Sequence, residues 1–213
     1  MDQSARGVAT KAILQAVSSG KFQPGEKLNE ANLAATLDVS RNTLREAFAT
    51  LTVRGIVTRI PHRGVFIASP GVPEIHDFYT ARSLLEPAAL LWGEDLDIAA
   101  LDQIVSTAEA HLAAGETALV ADTNQEFHRA IVTGAGSAIL DTTMEQVLAQ
   151  MRLVFLTVTR RHPEFHSDYV AVNRKIVAQL QVGDRAAAAA QLQQSLLATR
   201  EKLSTLPLDR RLH

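Results

Sequence analysis

The chain of 213 residues is long enough for one large or two modest domains, and with 46% apolar residues each can bury a core. It has no cysteine, which excludes disulfides and thiolate metal sites. Met1 to Ser19 is amphipathic rather than continuously apolar, and no apolar run is long enough to span a bilayer, so a soluble, cytoplasmic protein with no membrane partner is expected. The net charge of −2 hides an asymmetry: residues 1–69 carry nine Lys/Arg against five Asp/Glu, and residues 70–213 carry twelve against eighteen. A basic module joined to a larger acidic one suits a phosphate-binding head on a body that avoids nucleic acid.

In chain order, Ala5, Val8, Ala9, Ala12, Ile13, Ala16 and Val17 fall at helical spacing, predicting a helix to about Ser19. Gly20 and Pro24-Gly25 break it. Asn29 is placed to cap a short helix that turns Leu33 and Leu37 inward. Asp38-Val39 turns the chain, and Ser40 caps a helix from about Arg41 to Arg54, closed by Gly55. Its buried stripe is Leu44, Ala47, Phe48 and Leu51. Residues 56–60 and 64–68 are β-rich runs around Pro61-His62-Arg63, read as a hairpin. Helix, tight turn, polar helix and basic hairpin in succession make a winged helix-turn-helix over residues 1–69.

Residues 70–73 read as a linker. Beyond it the pattern is helical only, with candidate helices at 74–93, 97–114, 116–134, 137–161, 165–182 and 184–205, separated by Gly or Pro. Six helices in so short a span predict an antiparallel bundle over 74–206, with 207–213 as a tail. The expected fold class is therefore mainly α: an N-terminal winged helix-turn-helix followed by a six-helix bundle.

Two residue sets stand out. On the second helix of the turn motif, Asn42 and Arg45 lie opposite the apolar stripe, flanked by Arg41 and Thr43 at the helix N-terminus. Arginine pairs with guanine in a bidentate way and asparagine with adenine, while Ser40 and Thr43 suit backbone phosphates. Arg63-Gly64 at the hairpin tip suits a minor groove, since glycine permits close approach. In the body, polar residues interrupt apolar stripes: Arg82 with Glu86 one turn on, Asn124 with His128, Arg152, Asn173 and Ser195. Converging, these faces would form a polar cavity inside the bundle. Taken singly, each has an ordinary reading as a satisfied buried polar group, and Arg82–Glu86 as an intrahelical salt bridge.

The segments "PGEKLNEANLA", "LDVSRNTLREAFATL" and "RGIVTRIPHRGVFI" make residues 5–68 resemble the N-terminal domain of GntR-family bacterial transcription regulators. The family's long turn-helix signature is nearly complete, with Phe48 at a leucine position. Ala31 stands where some members place a base-contacting arginine. The segments "ARSLLEPAAL", "NQEFHRAIVTGAGS" and "NRKIVAQLQVGDRAAAAAQLQQSLL" make residues 74–205 resemble, more loosely, the helical FCD effector domain, in its shorter, VanR-like branch. In many such domains an Asp and three His hold a divalent metal. Here Asn124 stands at the Asp position, His128 is retained, and Asn173 and Ser195 stand at the later histidine positions. Neutral amide and hydroxyl donors are poor transition-metal ligands, so no metal or other cofactor is expected, and Arg82 and Arg152 become the anchors for a carboxylate or phosphate.

The expected function is a ligand-responsive transcriptional repressor with no catalytic activity. Its partners would be a double-stranded operator, a small organic, acidic effector and a second copy of itself, since two heads meet two half-sites. Two other readings are an all-helical enzyme with a DNA-targeting head, using His128 as a base, and an effector-free DNA binder.

Overall fold

The computed structural model describes residues 4–206. The tail predicted at 207–213 lies outside the described residues. The chain divides into two compact units. Of the described residues, the first holds 4–71 together with 149–157, and the second holds 72–148 and 158–206.

In the first unit, α1 (Ala5–Ser18) is capped by Ser4, whose hydroxyl accepts from the Gly7 N–H. A two-residue strand, β1 (Lys27–Leu28), leads into α2 (Glu30–Thr36), where Asn29 Oδ1 accepts from the N–H groups of Ala31 and Asn32. Asp38, at a φ of 51°, makes the turn. In α3 (Arg41–Val53) Ser40 Oγ accepts from Thr43 N–H at 3.0 Å. Strands β2 (Val57–Ile60) and β3 (Gly64–Ile67) form the hairpin, and the sheet order is β1-β3-β2 with both pairings antiparallel. The turn between them needs positive φ at His62 (59°) and Gly64 (110°), the second a value that only glycine adopts readily. Leu44, Phe48, Leu51, Ile13, Ile56, Val65 and Ile67 are buried in one cluster, joined by Leu153 from residues 149–157. Strand β1 has no counterpart in the sequence reading, because two residues are too few to show alternation.

The second unit is built from α4 (Val72–Trp92), α5 (Ile98–Ala113), α6 (Thr117–Thr133), α8 (Ser167–Gln181), α9 (Arg185–Thr205) and the outer parts of α7 (Ala138–Val158). Asp97 and Asp184 cap α5 and α9 through the N–H groups of Ala100 and Ala187, each at 2.9 Å. Pro87 sits inside α4 and cannot donate to the carbonyl four residues back, that of Ser83. Gln193 Nε2 of α9 donates to that carbonyl at 3.3 Å, so the bond lost within one helix is replaced by one between two. Arg174 ties α8 to α5 through a forked pair with Glu109 and bonds to Ser106 and Asp102.

Candidate nucleic-acid interface and buried polar cluster

In the first unit a cleft opens between the start of α2, the N-terminal turn of α3 and the wing. Lys27, Asn29, Glu30, Arg41, Arg45, His62, Arg63 and Gly64 line it. Thus Arg41, Arg45, Arg63 and Gly64, drawn from two separate stretches of sequence, share one concave surface. Asn42 is exposed at the same end of α3. Ser40 and Thr43 are tied to each other, Oγ to Oγ1 at 2.8 Å, in the cap that presents this end. Lys27 and Arg63 both stand over the Phe66 ring, at 6.0 and 5.8 Å, so the wing carries its cations on an aromatic platform. Sequence reasoning missed Lys27, His62 and Glu30. The register Lys27↔Phe66 that puts Lys27 beside the wing is long-range, whereas His62 was legible as part of the hairpin tip. Arg45 Nε donates to Glu30 Oε2 at 3.2 Å.

In the second unit five buried polar residues fall into two hydrogen-bonded groups, Arg82–Glu86–His128 and Asn124–Asn173. Glu86 is fully buried, accepting from Arg82 Nε on Oε1 and from His128 Nδ1 on Oε2, each at 2.6 Å. The Arg82 guanidinium also stands 5.1 Å over the Tyr79 ring. Asn173 Nδ2 of α8 donates to Asn124 Oδ1 of α6 at 3.0 Å. Burial by itself raises the Glu86 carboxyl, but Arg82 and His128 outweigh it and hold the group below its ordinary value. Burial lowers the His128 imidazole, with Arg82 assisting and Glu86 opposing. An ionised carboxylate can only accept, so a neutral His128 carries its proton on Nδ1 and presents Nε2 as an acceptor. Burial raises the Tyr79 phenol. The Arg82–Glu86–His128 chain therefore carries one positive and one negative charge, with no net charge.

Glu86 was legible only as the i,i+4 partner of Arg82; its bond to His128 is the feature that joins α4 to α6. Ser195 on α9 is half-buried, and its carbonyl accepts from Thr199 Oγ1. Arg152 lies in residues 149–157, grouped with the first unit, and the buried cluster of the second unit is assembled from Arg82, Glu86, His128, Asn124 and Asn173. The metal implied by the FCD resemblance does not fit these donors. Asn124 Oδ1 accepts from Asn173, His128 Nε2 is the single basic nitrogen that the cluster offers, and among the described residues no group of three or more His, Cys, Asp or Glu side chains is placed to hold a metal ion.

A winged helix-turn-helix with a cationic cleft, followed by a helical unit with buried polar residues, is the layout of a DNA-binding regulator of two-domain type. Residues 6–67 match the family described as "Bacterial regulatory proteins, gntR family", and residues 77–198 match the FCD domain. The chain belongs to the GntR family of transcriptional regulators, in its FCD-bearing branch. It is 30% identical over 189 residues to the HTH-type transcriptional repressor GlaR of Escherichia coli (strain K12), covering 84% of this chain and 86% of that one. It is 33% identical over 137 residues to the Nta operon transcriptional regulator of Aminobacter aminovorans, where the match covers 62% of this chain and just under two thirds, 64%, of the relative. The solved structure of a putative transcriptional regulator GntR from Rhodococcus sp. RHA1 superposes with a TM-score of 0.85 at 30% identity, covering 93% and 96% of the two chains. No helix among the described residues is long and apolar enough to cross a membrane.

Proposed function

We propose that the protein is a transcriptional repressor that binds a palindromic operator as a homodimer and is released by a small organic acid bound in its helical domain. In this reading residues 1–69 are the DNA-binding domain and the helical unit up to residue 206 the effector-binding and dimerisation domain, acting in the cytoplasm and without catalytic activity; the linker expected at 70–73 is shorter, because α4 already begins at Val72. The observation that carries it is the cleft that unites Arg41 and Arg45 of α3 with Arg63 and Gly64 of the wing. Helix N-terminus, arginine pair and glycine-tipped wing supply major-groove, phosphate and minor-groove contacts together. The repressor named among its relatives supports the sign of regulation.

The acidic effector is supported by the buried guanidinium of Arg82, oriented by Glu86 and Tyr79, with the Asn124–Asn173 pair as hydrogen-bonding partners. DNA binding is tested by selecting duplexes from a randomised pool and titrating the enriched duplex in gel shifts. Arg41→Ala and Arg45→Ala should each weaken binding, by about 1–3 kcal/mol where the arginine reads a base. Unchanged affinity in both variants would refute this docking.

A further inference from the structure

Lys27 belongs to neither the turn motif nor the hairpin, yet the fold brings it to the cationic cleft. Strand β1 is two residues long, and Leu28 is buried, so alternation turns Lys27 outward. Its register opposite Phe66 makes the two side chains cross-strand neighbours on one face of the sheet. The lysine stem runs over the wing, where a methyl group on Gly64 would meet Lys27 Cε at 3.3 Å. Its ammonium stands 6.0 Å from the centre of the Phe66 ring, and the Arg63 guanidinium stands 5.8 Å from the same centre.

An exposed lysine is ordinary; two cations drawn over one ring are not, because like charges repel. The neighbouring carboxylates do not relieve that repulsion. Glu26 accepts from the Gln23 N–H, and Glu30 accepts from Arg45. Among the described residues Lys27 makes no ion pair. A countercharge for the pair therefore comes from outside the chain, and a nucleic-acid backbone carries it. When a guanidinium enters a minor groove, the phosphates along the groove edge lie beside it. A lysine ammonium takes a phosphate as a point charge, without the planar fork that arginine brings to a base edge. We propose that Lys27 is a DNA-contacting residue: carried by β1, outside both the turn motif and the hairpin, it takes a backbone phosphate beside the groove that the wing enters. The inference rests on the DNA-binding reading above.

The test uses the full chain, wild type, Lys27→Gln and Lys27→Arg, on a duplex enriched from a randomised pool. Titrations across salt concentrations give the slope of log affinity against log salt. Lys27→Gln should reduce that slope by about 0.9 for each half-site bound, as one phosphate contact is lost, and should leave base preference in a repeated selection unchanged. Lys27→Arg should restore the slope. Methylphosphonate, which removes the charge, then replaces each phosphate of a half-site in turn. One such linkage should weaken wild-type binding several-fold and leave Lys27→Gln unaffected. Melting temperatures equal to wild type exclude a folding defect.

A salt slope that is identical in Lys27→Gln overturns the inference and leaves DNA binding standing. A reduced slope that no single linkage accounts for also overturns it, since Lys27 would then act only through the overall field of the head. A changed base preference overturns it as well, because Lys27 would then read a base. A wild-type pool without any enrichment overturns the DNA-binding reading, and this inference with it.

Discussion

Glu86 is fully buried and ionised, and it stays so because two donors reach it, one on each oxygen. Removing either partner of a buried pair leaves an uncompensated charge, so Arg82→Met should destabilise the fold by about 3–5 kcal/mol in denaturant titrations. Arg82→Met combined with Glu86→Leu should lose much less. Acid should act through the same residues. His128 is held below its ordinary value of 6.5 and Glu86 below 4.5, so in both cases the unfolded chain binds protons first as pH falls. Stability is therefore complete above about pH 6.5, declines below it through His128, and declines further below 4.5 through Glu86. His128→Gln should flatten the upper limb of a melting-temperature profile between pH 8 and 5; an unaltered limb would place the titrating group elsewhere. Asn124 and Asn173 supply a sharper residue-scale test, because each stands where the resemblance to the FCD domain implies a charged or imidazole ligand. Asn124→Asp, Asn173→His and Ser195→His together should confer stoichiometric zinc or nickel, measured by elemental analysis, and the wild-type chain should hold neither. Wild-type protein holding such a metal and losing it on His128→Ala would show the donor argument wrong.

Among the elements, α4 is unusual in its patterning. From Ala81 to Trp92 its polar residues, Arg82, Ser83 and Glu86, are all buried, whereas Leu84 is 66% and Trp92 74% exposed. Ala81, Leu85, Ala88 and Leu91 are half-buried along the same outer stripe. A helix apolar on its solvent side is expected to be covered by a partner, and a stripe on a homodimer axis meets its own copy. Leu84→Glu with Trp92→Ser should yield a monomer at micromolar concentration by light scattering; an unchanged mass would remove α4 as the dimer contact. The helix pattern itself was legible: apolar spacing and Gly or Pro breaks located every helix of the second unit to within a few residues, α7 ending three residues earlier than expected. The motif helices were legible too, since Asn29 and Ser40 are caps visible as residue types. What escaped was long-range. Strand β1 exists only through its pairing with β3, Lys27 joins the wing only through that register, and Glu86 meets His128 across 42 residues of sequence. Periodicity reports which face is buried, not which face it meets.

At the scale of the whole molecule, the first unit carries the cationic cleft proposed to read DNA and the second the buried polar residues proposed to meet an effector, so control in this reading requires a coupling free energy between two sites. Such coupling is reciprocal: if an effector weakens operator binding by some factor, the operator must weaken effector binding by the same factor. A panel of small mono- and dicarboxylic acids, screened by thermal shift, should contain at least one that stabilises the full chain through the second unit. For that acid, the operator affinity measured with and without saturating ligand gives the factor. Calorimetry with and without saturating operator should return it, within error. Asn173→Leu, which removes the amide facing Asn124, should abolish the thermal shift while leaving operator affinity of the ligand-free protein unchanged. Ligand affinity that is indifferent to the operator, with operator affinity equally indifferent to the ligand, would make the polar cluster a structural core only. The protein would then be a DNA binder without an effector.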